Sequence, residues 1–131
     1  MIKKITTKSN VLIVDDEADI CYLLRNILRY KNIDASIVTS LAEAKVHLQH
    51  NDPPVIFLDN RLSDGLGVEH IRMFKKDHPH SFIVMITAHD SSADREKAYQ
   101  EGADFFIGKP FSRDTIYKTL DKINFLHPNG D

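Results

Sequence analysis

The chain has 131 residues, with 17 Lys and Arg against 19 Asp and Glu and one cysteine. That points to one domain with an ordinary hydrophobic core, and against both a disulfide scaffold and a basic nucleic-acid footprint. With 42% hydrophobic and 27% charged residues it is not a disordered chain. No apolar run approaches the roughly 18 residues needed to cross a bilayer. The lysines near Met1 run into Lys8, Ser9 and Asn10 rather than an apolar signal segment. A cytoplasmic protein without membrane insertion is expected.

Val11–Val14 opens the pattern as an unbroken apolar run of strand length. Ile20, Leu23, Leu24, Ile27 and Leu28 then repeat at helical spacing, making an apolar stripe over two turns. Ala35–Val38 is a weaker strand, followed by Ser40 and Glu43, a capping box that opens a helix with Leu41, Ala44 and Leu48 on one side. Val55–Leu58 is a second unbroken run, and Val68, Ile71 and Phe74 mark a third helix that ends before Pro79. Phe82–Ile86 is the third such run. Residues 91–101 form a mostly polar helix with Ala98 and Tyr99 as its apolar pair and Gly102 at its C′ position. Phe105–Ile107 is a short fifth strand, and Ser112 caps a last helix carrying Ile116, Leu120 and Ile123. Unbroken β-branched runs suit strands buried on both faces. The alternation therefore predicts a (βα)5 chain folded as a three-layer α/β sandwich with a five-stranded parallel sheet.

In such a sheet, function gathers beyond the carboxyl ends of the strands. The first strand delivers Asp15, Asp16 and Glu17 there, the third Asp59, the fourth Thr87 and Ala88, and the fifth Gly108, Lys109 and Pro110. Each alone has an ordinary reading: an acidic pair caps a helix, a threonine caps a turn, a lysine is solvated. Together they carry chemistry. Crowded carboxylates repel, so they must take up protons or bind a cation. Hard oxygen ligands favour Mg²⁺ over zinc, and no Cys/His cluster offers a softer site. A lysine beside that cation can pair with an anion, and a carboxylate nucleophile completes the requirements for phosphoryl transfer.

The stretches Val14-Asp15-Asp16-Glu17, Leu58-Asp59 through Gly67, Thr87-Ala88 and Lys109-Pro110-Phe111 resemble the receiver domain of two-component response regulators. The resemblance spans residues 10–126 within what reads as a single domain over 1–131. It implies the flavodoxin-like strand order 2-1-3-4-5. It also implies that Asp59 is the phosphoacceptor, charged by a sensor histidine kinase or a histidine phosphotransfer protein. Asp16 and Asp59 would hold Mg²⁺ through their side chains, Arg61 through its backbone carbonyl, and Asp15 largely through water. Lys109 would pair with the phosphoryl oxygens and Thr87 would bond to them, while Phe106 occupies the aromatic switch position. Lys109-Pro110 would be cis, and Gly67 would start the third helix close to the acidic loop. Arg61 and His89 would flank the phosphoryl group and slow its hydrolysis, unless Arg61 points to solvent or pairs with Asp64. The output face would be the fourth helix, fifth strand and fifth helix, with Tyr99, Phe105 and Tyr117 offering a patch to a downstream protein or a second copy. In one departure, Ser63 stands where the family usually has a proline, which implies a softer loop.

On this reading the protein is a signalling switch that catalyses its own phosphorylation and dephosphorylation, not a metabolic enzyme. Two alternatives stand beside it: an aspartate-nucleophile phosphohydrolase, and a degenerate receiver used as a scaffold. His47, His50, His70, His78 and His80 lack ligand spacing and read as structural or solvated, Cys21 as a small core or half-exposed residue. Arg95, Glu96, Lys97, Arg113 and Lys118 read as solvated helix charges. The segment Leu126–Asp131 suggests that no effector follows, leaving a stand-alone regulator, a relay intermediate or the front part of a longer protein.

Overall fold

Val11–Val14, Val55–Leu58 and Ile83–Ile86 lie side by side at the centre of one sheet, with every side chain buried. The computed structural model describes residues 9–123; the N-terminal lysine segment and the Leu126–Asp131 tail lie outside them. The strands are β1 (Ser9–Val14), β2 (Ile33–Val38), β3 (Val55–Leu58), β4 (Phe82–Thr87) and β5 (Phe105–Gly108). They alternate with α1 (Ala18–Tyr30), α2 (Leu41–His50), α3 (Ile71–Asp77), α4 (Ser92–Glu101) and α5 (Arg113–Lys122). All neighbours pair in parallel, in the order β2-β1-β3-β4-β5.

Alternation along each strand sends side chains to two separate cores. Leu12, Val14, Ile56, Leu58, Ile83 and Met85 meet Leu41, Ala44, Leu48, Ile71 and Phe74 of α2 and α3. Val11, Ile13, Val55, Phe57, Val84 and Ile86 meet Cys21, Leu24, Ile27 and Leu28 of α1 with Ile116 and Leu120 of α5. This is the three-layer sandwich that the sequence predicts.

In α1 the buried residues are Cys21, Leu24, Ile27 and Leu28, while Leu23 is 46% exposed. At roughly 100° per residue the stripe centres on Leu24 and Leu28, which brings Cys21 in and turns Leu23 out. Ser40, Ser91 and Ser112 each accept the N–H three residues on, at 3.1 Å. The Glu43 carboxylate reaches back to the Thr39 N–H at 2.7 Å, one residue before the expected partner. The third helix begins as a 3₁₀ turn over Gly67–His70, after a small antiparallel ribbon pairing Arg61–Leu62 with Gly65–Leu66.

Helix α4 is the lightest anchored: only Ala98 is buried, and Glu101 ties it to Arg72 of α3 at 2.8 Å. It ends at Gly102, whose φ of 115° lies in the left-handed region. A methyl there would find Ile71 and Lys75 at 3.5 Å, so space is not limiting and backbone strain is. Gly102→Ala should therefore lower unfolding free energy by about 1–2 kcal/mol in urea titration, and an unchanged midpoint would contradict that strain.

Candidate functional site

The chain leaves β1 for β2 on one flank and returns to β3 on the other, opening a crevice at the carboxyl ends of β1 and β3. Hydrogen bonding continues one residue past the strands there. The Asp15 N–H donates to Val38 O (3.1 Å), the Asp59 N–H to Val14 O (2.9 Å) and the Lys109 N–H to Thr87 O (2.9 Å). These bonds fix the backbones from which the reactive side chains project. Asp15 and Asp59 are buried, and Lys109 follows β5 with a cis peptide to Pro110. Its ammonium lies 3.0 Å from Asp15, 3.3 Å from Asp59 and 2.5 Å from Glu17. Asp15 also accepts the Glu17 N–H at 2.9 Å, and Asp59 the Asn60 N–H at 2.8 Å.

Three carboxylates thus share one ammonium. Burial, then the neighbouring Asp15 charge, pushes the Asp59 carboxyl up to about 6, against the pull of Lys109 and the Asn60 N–H. Burial also raises Asp15, partly offset by the Glu17 N–H and Lys109. For Lys109, burial alone would favour the neutral amine, but hydrogen bonds to Glu17 and Asp15 and the Asp59 charge outweigh it and hold it above the ordinary lysine range. Carboxylate oxygens of Asp15, Glu17 and Asp59 all lie within 4.8 Å of one another, a hard-oxygen donor set that suits a divalent cation. Asp16 is exposed and outside that group, and the Arg61 side chain is exposed.

Thr87 is buried, its Oγ1 accepting the His89 N–H at 3.2 Å. Thr87, His89, Val68, Ala98 and the buried Phe106 line a cavity of about 30 Å³, water-sized. The Arg95 guanidinium sits 4.9 Å from the centre of the Phe106 ring, so it packs on an aromatic face rather than being simply solvated. On the expected output face Tyr99 is exposed and Phe105 half-buried, but Tyr117 turns away: its hydroxyl donates to Ile27 O of α1 at 2.7 Å.

Two roles are illegible in the sequence. Glu17, read only as one of the acidic residues, is the nearest partner of Lys109 although 92 residues separate them. Asp64 does not serve Arg61; its carboxylate accepts the N–H groups of Leu41 and Ala42 at 2.9 and 3.0 Å. No local pattern signals either contact. Gly67 does have a local cause, since a Cβ there would lie 2.3 Å from the Asp59 carbonyl oxygen. His78 pairs with Asp52 at 2.8 Å and His70 with Leu66 O at 3.1 Å, and no histidine joins the acidic group among the described residues. Cys21 is buried, donating to Asp15 O at 3.2 Å. A larger cavity of about 440 Å³ between α2 and α3 is lined by none of the site residues.

A doubly wound sheet with paired acids at its switch point, a lysine two strands over and a buried threonine on the strand between defines a phosphoacceptor domain of the α/β class. The profile of the response regulator receiver domain matches residues 11–121, and the chain belongs to that family. It is 34% identical over 108 residues to the luminescence regulatory protein LuxO of Vibrio campbellii, covering 82% of this chain and 24% of LuxO. It is 32% identical over 110 residues to the transcriptional regulatory protein TrcR of Mycobacterium tuberculosis, covering 84% of this chain and 43% of TrcR. The chain thus spans less than half the length of these curated relatives. Among solved structures, the beryllofluoride-activated NtrC4 receiver domain dimer superposes with a TM-score of 0.82 at 35% identity, covering 86% of this chain and 93% of that one. A two-component response regulator from Clostridium difficile gives 0.84 at 26% identity, covering 88% and 95%. Receivers are signalling switches phosphorylated on aspartate, and the membership decides against the phosphohydrolase alternative. No helix among the described residues is long and apolar enough to cross a membrane.

The raised Asp59 carboxyl has a measurable consequence. A folded-state value near 6, above the ordinary 3.8, means its stabilising contribution is complete below pH 4 and lost as pH rises through 6. Without divalent cations the wild type should lose on the order of 2–3 kcal/mol across that window. Asp59→Asn should flatten the slope, leaving the part due to Asp15, and melt higher at pH 7.5, as followed by circular dichroism; the same pH dependence of melting in the two proteins would contradict the burial cost.

Proposed function

We propose that Asp59 accepts a phosphoryl group from a histidine of a sensor kinase or phosphotransfer protein, and that the chain catalyses both its own phosphorylation and the later hydrolysis. The observation that carries this is the Lys109 ammonium held among Asp15, Glu17 and Asp59 in a cluster that keeps an excess of negative charge. The Asp59 carboxylate oxygen attacks phosphorus, the P–N bond breaks, and its electron pair leaves on the imidazole nitrogen, which takes up a proton. Lys109 then follows the charge from the carboxylate to the phosphoryl oxygens. The Thr87 hydroxyl turns from the His89 N–H to donate to the same oxygens, opening room beside Phe106. The oxygens of Asp15, Glu17 and Asp59 suit a divalent cation, and on this reading Mg²⁺ would be held by the Asp16 and Asp59 side chains, the Arg61 carbonyl and, through water, Asp15, with Glu17 as a further carboxylate at the rim. When bound, Mg²⁺ neutralises charge on the phosphoryl group being transferred.

The output of this reading is a changed surface over α4, β5 and α5, read by a downstream protein or by a second copy, in a cytoplasmic setting. The weak anchoring of α4 and its contact to Phe106 through Arg95 support that assignment. One receiver unit, about residues 10–126, suffices for the chemistry.

Incubation with Mg²⁺ and acetyl phosphate, followed by intact mass, tests the reading. The wild type should gain one phosphoryl group and Asp59→Asn none. No gain in the wild type would mark a scaffold, and an undiminished gain in the variant would move the acceptor elsewhere. Mg²⁺ should also raise the melting temperature of the wild type, because it binds the folded state alone. Asp16→Ala should remove most of that rise, and an unchanged rise would take Asp16 out of the ligand set. Once donor is removed, Arg61→Ala or His89→Ala should lose phosphoryl several-fold faster than the wild type, if these exposed side chains close over it on phosphorylation. Equal or slower decay in both would show that neither restrains the attacking water.

A further inference from the structure

The loop after Asp59 is held at its base and at its tip by different devices. At the base, Asn60 accepts the Gly67 N–H at 2.7 Å through its backbone oxygen and the Val68 N–H at 2.9 Å through its side chain. Leu62 is buried in the core beneath. At the tip, between the arms of the Arg61–Leu62 and Gly65–Leu66 ribbon, Asp64 reaches across to α2. One carboxylate oxygen accepts the Leu41 N–H (2.9 Å) and the other the Ala42 N–H (3.0 Å), across 23 and 22 residues of sequence.

These N–H groups open the first turn of a ten-residue helix, where unpaired donors and the helix dipole favour an anion. The helix has its own cap: Ser40 takes the Glu43 N–H, and the Glu43 carboxylate returns to Thr39. Asp64 supplies what that cap leaves over, with two parallel bonds to an ionised group. Those two bonds hold its carboxyl below the usual range. A bidentate contact of this kind restrains both position and rotation of the loop tip. It occurs in a loop with Ser63 at its turn, where no proline ring stiffens the backbone. Arg61 lies between the two anchor points, and its side chain is exposed and free of the Asp64 carboxylate.

We infer that Asp64 is a positioning residue for the cation site: by latching the ribbon to the N-terminus of α2, it fixes the Arg61 backbone where its carbonyl completes the oxygen set. This rests on the proposed role of that carbonyl. The latch joins two elements that the sheet alone does not register, because α2 and the ribbon are separated by all of β3.

Mg²⁺ titration of the phosphate-free protein, read by backbone amide shifts of Asn60 and Arg61, tests the inference together with urea unfolding. Asp64→Ala should raise the Mg²⁺ concentration at half-saturation several-fold. Asp64→Asn keeps one acceptor oxygen and should fall between it and the wild type. Hydrogen exchange at the Leu41 and Ala42 amides should quicken in the same order. A purely structural role would lower the urea midpoint while leaving half-saturation unchanged in both variants, and that result overturns the inference alone. A wild type that binds no Mg²⁺ would overturn the reading of the acidic cluster and this inference with it.

Discussion

One ammonium group, that of Lys109, stands among three carboxylates at the end of the sheet, and the rest of the molecule is arranged to keep it there. At about 4 Å in a half-buried setting, two charges interact by about 4 kcal/mol. Three attractions to the lysine, at 2.5–3.3 Å, are opposed by three repulsions among carboxylate oxygens within 4.8 Å of one another, so much of the Coulomb gain is offset and the cluster keeps a net negative charge. The desolvation of Asp15 and Asp59 then stands uncompensated, which is why burial leads the upward shift of both carboxyls. Such a centre is stable enough to fold and still short of positive charge. On the proposed reading a divalent cation would supply that charge, and a phosphoryl group drawn in by it would give the lysine a new partner.

The scaffold separates what must be rigid from what must respond. β1 and β3 lie in the middle of the sheet with a core on each face, so Asp15 and Asp59 leave strands that have little freedom. Thr87 and Lys109 leave β4 and β5, toward the edge where α4 covers the sheet with one buried alanine. Surface pairs such as Glu101 with Arg72 and Lys97 add little. On the proposed reading, a shift of Thr87 toward a phosphoryl oxygen would be felt first by Phe106, Arg95 and α4. The helix with the fewest buried residues thus lies on the face proposed for output, where local opening costs least.

The fold was largely legible in the sequence because its signals are local. Val11–Val14, Val55–Leu58 and Phe82–Ile86 read as doubly buried strands, Ser40 and Ser112 as caps, and Gly102 as a helix stop. Leu23 was misplaced because a stripe of five apolar residues is wider than the groove that receives it, and Cys21 has the better angle. The site was legible as a set of residues at strand ends, but not as a network. Strand order decides that Lys109 meets Glu17, and the path of the β3 loop decides that Asp64 meets α2; neither is written within a few residues of the groups involved. The aromatic patch was only partly legible for the same reason, since Tyr117 is claimed by a carbonyl on a helix 90 residues away.

Everything above rests on Asp59 being held in a buried, cation-deficient cluster. Carbon-13 NMR of its labelled carboxyl group during a pH titration addresses it directly. Without divalent cations the midpoint should lie near 6, and it should fall by well over one pH unit when Mg²⁺ is saturating. A midpoint at the ordinary carboxylate value of 3.8, unmoved by Mg²⁺, would contradict it.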